Sequence, residues 1–332
     1  MPDAAERIRR LADRRGTIQN RDVARALRVS PATAHRLLQA LATSGVLERV
    51  GAGRAASYRL KGLRRRFRRA GLDEHRVWES LAAGIARVRP LDPDAARSLG
   101  YAASEVVNNA IDHSRGRIVE VAVAFERGGA TMVKIRDDGV GVFRRLCQDF
   151  GFATPHDAIV QLEQGKLTSD PERHSGEGLF FSSKAVTRFR LESPGAAWIV
   201  DNEARDSGIG PSETRKGTTV RLEVVPGRVP RLEDVFAAYT DAESLRFTRT
   251  RVTLRLASFG KTLVSRSEAK RLVARLGDFE HVTLDFSGVD VVGQGFCDEV
   301  FRVFARAHPK VSLEPVGMND TVAFMVGRAR AR

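Results

Sequence analysis

The stretch SEVVNNAIDHS, Ser104 to Ser114, constrains this chain more than any other. Its alanine- and valine-rich surroundings have helical spacing, yet two asparagines, poor helix formers, stand side by side in it. In a helix over 92–114, Glu105 and Asn109 lie four apart and share a face. A folded helix buries a carboxylate and a carboxamide together only where something satisfies them. Oxygen ligands of both kinds suit a hard cation such as Mg2+, above all one that also carries phosphate. Taken alone, the pair is explained better as two solvent-facing side chains.

Three glycine-bearing segments downstream reverse that balance. RIVEVAVAF and ATMVKIRD alternate as strands joined by ERGG, a hairpin. They run into DDGVGVF, Asp137 to Phe143, whose two glycines allow a tight turn and close backbone approach. An aspartate at that turn can accept from an exocyclic amine such as adenine's. RHSGEGLFFSSKAV puts Gly176 and Gly178 ahead of a helix, where free N–H groups and the helix dipole suit a phosphate. RKGTTVRLEV is a glycine turn into a strand that carries Thr218 and Thr219.

The order E-x-x-x-N, D-x-G-x-G, G-x-G, G-T-T resembles the GHKL ATPase superfamily, to which gyrase, histidine kinases and the anti-sigma serine kinases belong. The resemblance implies a Bergerat-type α/β sandwich over 75–228: a mixed sheet, helices on one face, and ATP between helices and a lid at 144–175. It implies ATP and Mg2+ as cofactors. Carried over by motif, Asn109 is the Mg2+ ligand and Glu105 the general base toward a water or hydroxyl. Asp137 takes the adenine amino group, with Gly139 and Gly141 shaping that pocket. Gly176, Glu177, Gly178 and Leu179 lie against the phosphates, and Thr218 or Thr219 bonds near the adenine end. Within the lid, TPHDAIVQLEQG has a threonine N-cap and proline at N1, hence a helix; Lys166, Arg173 and His174 lie in its looser tail. A histidine kinase is not expected, because His75, the one phosphoacceptor candidate, lacks the following proline and a second antiparallel helix.

Charge singles out the N-terminal fifth. The chain carries a net +14, and residues 1–70 alone hold 18 basic against 5 acidic side chains. That asymmetry points to a polyanion partner, most simply DNA. Residues 6–14 read as a helix with Ile8 and Leu11 inward, stopped by Gly16; a second helix starts at Asn20 as N-cap. SPATAHRLLQALATSG begins with Ser30 at the N-cap and Pro31 at N1, buries Ala34, Leu37, Leu38 and Leu41, and leaves Thr33, His35 and Arg36 outward. VLERVGAGRAASYRL follows as two strands around a glycine turn. This pattern resembles the winged helix-turn-helix of bacterial transcription regulators over 1–62. It implies base readout by His35 and Arg36, DNA binding by Thr33 beside them, and phosphate contacts from Arg49, Arg54 and Arg59 in the wing. KGLRRRFRRAG is expected to be a basic linker helix, within a linker at 63–74.

After a linker at 229–244, residues 245–332 alternate strand and helix, the signature of a small α/β sheet. LDFSGVDVVGQGFCDEVF resembles the STAS-like domains of the DUF4325 type and, more distantly, STAS anti-sigma antagonists. Gly293-Gln294-Gly295 stands at the turn where antagonists carry a phosphorylated serine, and Ser287 lies earlier, so a phosphoswitch is in doubt. Asp298 and Glu299 are candidates for a contact surface, and Cys297 for a small core residue.

With two cysteines, Cys147 and Cys297, no disulfide framework is implied, and no run of about 18 apolar residues is present for a membrane span. The chain is expected to be cytoplasmic, with no membrane partner. The expectation is an α/β multidomain regulator that binds DNA and ATP·Mg2+, hydrolyses ATP slowly, and meets a protein partner through its STAS-like domain, with a homodimer as one arrangement. The alternative is a serine/threonine protein kinase of the anti-sigma type in a partner switch.

Overall fold

The computed structural model describes residues 2–53, 56–163, 178–239, 251–273 and 276–331. Three hydrophobic clusters, one per domain, organise it.

The first cluster joins α1 (Pro2–Arg15), α2 (Asn20–Leu27), α3 (Pro31–Thr43), β1 (Leu47–Val50) and β2 (Ser57–Leu60). β1 and β2 pair antiparallel as the wing. Ile8, Ile18, Val23, Ala34 and Leu38 are each at most 1 % exposed, so the helical spacing of these residues makes one core. Ser30 caps α3 by accepting from the Thr33 N–H at 3.1 Å, with Pro31 at N1. The N-cap of α2 is Gln19, not Asn20, because the Asp22 carboxylate accepts from the Gln19 N–H at 2.8 Å.

The central domain is built on a seven-stranded sheet in the order β3-β4-β5-β9-β6-β7-β8. Its strands are β3 (Leu63–Arg68), β4 (Ile118–Phe125), β5 (Thr131–Asp137), β6 (Arg188–Ser193), β7 (Ala196–Asp201), β8 (Asp206–Gly210) and β9 (Thr219–Val224). Every pair in it is antiparallel, so the sheet is not mixed. Helices α4 (Glu74–Val88), α5 (Pro93–His113), α6 (Val142–Phe150), α7 (Pro155–Glu163) and α8 (Gly178–Ala185) bury one face of it against Val121, Val133, Ile135, Phe189 and Trp198.

Two segments differ from the linkers expected at 63–74 and 229–244. Leu63 and Phe67 are four apart, a spacing that satisfies a helix and a strand equally. The chain takes the strand: Leu63, Arg65 and Phe67 sit opposite the inward Val123, Val121 and Val119, and β3 becomes the sheet edge. After β9, α9 (Leu232–Ala237) packs Val235, Phe236 and Tyr239 against Tyr101, Phe180 and Phe181. The expected lid also differs in its first half, since Ala158, Ile159 and Leu162 of α7 belong to the main core; residues 164–175 lie outside the described residues.

The C-terminal domain consists of β10 (Arg251–Arg255), β11 (Thr262–Leu263), α10 (Arg266–Val273), β12 (His281–Asp285), β13 (Val291–Val292), α11 (Gln294–Asp298), a π-helical turn Glu299–Phe304, α12 (Ala305–Ala307), β14 (Ser312–Val316) and α13 (Asp320–Arg330). Its sheet is parallel, β10-β12-β14, as strand–helix alternation requires. Asp298 and Glu299 are each only 7 % exposed, so they do not form the expected contact surface. Cys297 is 1 % exposed, and burial raises its thiol to about 11.

The winged helix is fastened to the central domain. Arg89, at the end of α4, has a side chain 12 % exposed and ion-pairs with Asp13 of α1. Its other N–H groups donate to the carbonyls of Ala130 (2.6 Å) and Glu126 (2.9 Å), and its guanidinium stands 5.2 Å from the Phe125 ring centre. Val88 and Phe125 pack into the winged-helix core itself. Removing one partner of such a buried pair typically costs about 3–5 kcal/mol. Arg89→Ala should therefore lower stability by about 3 kcal/mol; calorimetry should then show the winged helix melting apart from the sheet domain.

Candidate nucleotide site and nucleic-acid interface

α5 carries the polar face read from the sequence. Asp92 caps it by accepting from the Ala95 N–H at 2.9 Å, and Pro93 occupies N1. Its far end is held by Arg69, which donates to the carbonyls of Ile111 and Gly116, both at 2.7 Å. Asn109 Nδ2 donates to the Glu105 carbonyl at 2.8 Å. The planar amide therefore turns Oδ1, the atom a cation needs, away from that bond. The Glu105 carboxylate lies directly against the Cα of Gly178, where any Cβ would overlap it. The first and third motifs thus meet, and a side chain at 178 would displace the Glu105 carboxylate.

Asp137 is 5 % exposed at the end of β5. Its carboxylate accepts from the Gly139 N–H at 2.8 Å, and its own N–H donates to the Thr218 carbonyl at 3.0 Å. Burial raises its pKa, against the opposing effect of the Gly139 and Thr218 hydrogen bonds. Gly139 packs on the Ser114 carbonyl, with no room for a side chain, and the Val140 N–H donates to that carbonyl at 2.9 Å. Gly217, at φ +72°, leaves no space between its Cα and the Asp137 carbonyl. Thr218 Oγ1 accepts from the Val142 N–H at 3.0 Å, and Gly141, at φ +90°, precedes α6.

The structure brings Glu105, Asn109 and Gly178 together on one side, and Asp137, Gly139, Gly141 and Thr218 on the other. It separates Thr218 from Thr219: register sets Thr219 opposite Arg136 and Glu192, on the face away from the helices. Leu179 is half-buried against the main core. Gly176, Glu177, Lys166, Arg173 and His174 lie outside the described residues.

Several residues that shape the site escaped the motif reading. Ser114 Oγ donates to the Ala110 carbonyl at 2.6 Å and accepts from the Gly116 N–H at 3.0 Å. Asp138 accepts from the N–H groups of Ile118 (2.9 Å) and Arg117 (2.7 Å), and these bonds hold its pKa down. The polar-and-glycine run HSRG after the helix was the available signal for Ser114 and Gly116. Nothing local marked Arg69, whose partners are 42 and 47 residues away.

On the winged helix, His35 and Arg36 are exposed near the start of α3, and Thr33 is half-buried, its hydroxyl accepting from Ser30 Oγ at 3.0 Å. Arg49 is exposed on β1, whereas Arg59 is held by Glu48. Arg54 lies outside the described residues.

Fold and site together define a nucleotide-binding α/β module attached to a DNA-binding winged helix. The chain is a three-domain protein: residues 8–51 match the IclR helix-turn-helix domain, 94–228 the histidine kinase-, DNA gyrase B- and HSP90-like ATPase family, and 268–323 the STAS-like domain of unknown function DUF4325. No curated protein matches the chain. No described helix is long and apolar enough to cross a membrane.

Two predictions follow from this geometry. Gly139→Ala forces a Cβ into the Ser114 carbonyl and should destabilise by about 2–3 kcal/mol, within the usual range for overpacking; denaturant titration measures it. An amine donor needs Asp137 as a carboxylate, and burial lifts its proton affinity. ATP affinity should therefore be flat through neutral pH and fall on acidification while still above the ordinary aspartate value of 3.8. Calorimetric titration across pH should lose this feature in Asp137→Asn.

Proposed function

We propose that this protein is an ATP-responsive DNA-binding transcriptional regulator of the cytoplasm, in which the GHKL domain sets how the winged helix meets DNA. One observation carries the reading: the Arg89 contacts and the shared packing of Val88 and Phe125 join the two domains. α4, which ends at this junction, packs along α5, which carries Glu105 and Asn109. A shift of α5 on nucleotide binding is thereby felt at α1. Such coupling operates only to the extent that ATP favours one conformation over another.

In this reading Asp137 accepts from the adenine amine, with Thr218 holding the loop against β9. The donor set fits the nucleotide: a buried carboxylate for the base, and a carboxylate and a carboxamide oxygen beside a glycine that leaves the backbone open to phosphate. Asn109 would help hold a Mg2+, which would supply charge neutralisation for the phosphates. Glu105 takes the proton of an attacking water, with Gly178 packed against its carboxylate. His35 and Arg36 read base edges, Thr33 supports the start of that helix, and Arg49 contacts phosphate.

The STAS-like domain offers a surface for a protein partner. Arg271 of α10 stands 3.8 Å from Asp157 of α7, which sets that domain beside the nucleotide module. This contact favours a second reading in which Glu105 activates a serine or threonine hydroxyl and the chain is a protein kinase. Incubation with γ-labelled ATP and Mg2+ separates them. Slow release of free phosphate, lowered by about 10²–10⁴-fold in Glu105→Ala while ATP still binds, is the expected result. Label retained on protein would replace the ATPase reading by the kinase one, and absence of ATP binding would overturn both.

A further inference from the structure

The charge surplus of the first 70 residues does not end with the winged helix. Arg64, Arg66 and Arg68 lie on β3, the edge strand of the central sheet, two residues after the wing strand β2. Register puts them opposite Ala122, Glu120 and Ile118, on the sheet face that no described helix covers. The same face of β5 bears Lys134 and Arg136, opposite Ala122 and Glu120. Across β3, β4 and β5 this face therefore carries five cations, Arg64, Arg66, Arg68, Lys134 and Arg136, against one acid, Glu120.

The other half of the face is balanced. On β9, β6 and β7 the cations Arg188, Arg190 and Arg221 are met by Glu192, Asp201 and Glu223. Solvation or an arginine-rich composition would not sort charge in this way. Glu120 is also shared: Arg64 and Arg66 both reach it, at 3.3 and 3.5 Å, while their side chains stay 78 % and 69 % exposed. Arg68, Lys134 and Arg136 make no ion pair among the described residues. Lys134 also stands directly opposite Arg221, a like-charge cross-strand pair in which Glu192 answers Arg221 and no ion pair among the described residues answers Lys134.

We propose that the β3–β5 half of this open face is a second DNA contact, holding the phosphate backbone of duplex that flanks the site bound by the winged helix. The chain itself supplies the continuity: exposed Arg49 on β1 and Lys61 after β2 lead into Arg64, Arg66 and Arg68. Adjacent strands lie about 4.8 Å apart, so cations on β3 and β5 span roughly 10 Å, enough to meet successive phosphates. Contacts of this kind fix position and carry no sequence information. The inference rests on the DNA-binding reading and extends its footprint onto the nucleotide module.

The test uses the full chain and mixed-sequence duplexes of 15 and 40 base pairs, with affinity measured against salt. The variant is Arg68→Gln/Lys134→Gln/Arg136→Gln, whose residues hold no ion pair that the fold would lose. The charge-matched control is Arg306→Gln/Lys310→Gln/Arg328→Gln, on exposed positions of the C-terminal domain. Each lost phosphate contact lowers the slope of log affinity against log salt by about 1. The triple variant should lose about 2–3 in slope and about tenfold or more in affinity on the 40-mer at moderate salt, with little change on the 15-mer and none in the control. An unchanged slope, or an equal loss in the control, overturns the second contact. His35→Ala/Arg36→Ala distinguishes the failures: if it weakens binding while the triple variant does not, only this inference falls. If wild type binds neither duplex, the DNA-binding reading falls with it.

Discussion

The carbonyl of Ser114 sits where a Cβ of Gly139 would be, and from that one close approach the nucleotide module takes its shape. It ties the end of α5 to the loop after β5, so the helix that carries Glu105 and Asn109 and the strand that ends in Asp137 have a fixed separation. Gly217 repeats the device from the other side by pressing β9 onto the Asp137 carbonyl. Two backbone-to-backbone contacts thus define the pocket before any side chain contributes. Arg69 and Asp138 then fasten the joint, the first at the carbonyls of Ile111 and Gly116 and the second at the N–H groups of Arg117 and Ile118.

From this rigid centre the structure reaches both ends of the chain. Toward the N-terminus, α4 carries Val88 and Arg89 into the winged helix, where both terminal nitrogens of the Arg89 guanidinium are answered by Asp13 and by the carbonyls of Ala130 and Glu126. Toward the C-terminus, α9 lays Phe236 and Tyr239 on Phe181 and Phe180, with ring centres 4.9 Å apart in each pair. Those phenylalanines stand two and three residues after Gly178 in α8, so α9 packs on the helix that begins at the phosphate motif. The winged helix is joined through α4, and the STAS-like domain meets the module at Asp157 of α7.

Much of this was legible in the sequence because the needed residues are local. Ser30-Pro31, Asp137-Asp138-Gly139 and Gly217-Thr218 each declare a cap or turn within four residues, and the helices and strands around them followed. What stayed hidden depends on partners far along the chain. Leu63 and Phe67 fit the periodicity of the expected linker helix and of a strand alike, and only pairing with β4 decides between them. The choice between Thr218 and Thr219 stayed open for a like reason. Alternation says that their side chains oppose each other, but not which one faces the helices. Arg89 gave no signal at all, since Asp13 is 76 residues away. The burial of Asp298 and Glu299 was equally invisible, because the dipole of a helix's first turn accepts acids whether or not they face solvent.

The central claim is that nucleotide state and DNA binding are one equilibrium. Its most direct test is the affinity of wild type for duplex DNA with and without ATP·Mg2+, measured beside Asp137→Asn. The account predicts at least a fivefold change on adding ATP to wild type, the lower end of ordinary allosteric coupling, and no change in the variant. Equal affinities in a wild-type protein shown by titration to have bound ATP would contradict it.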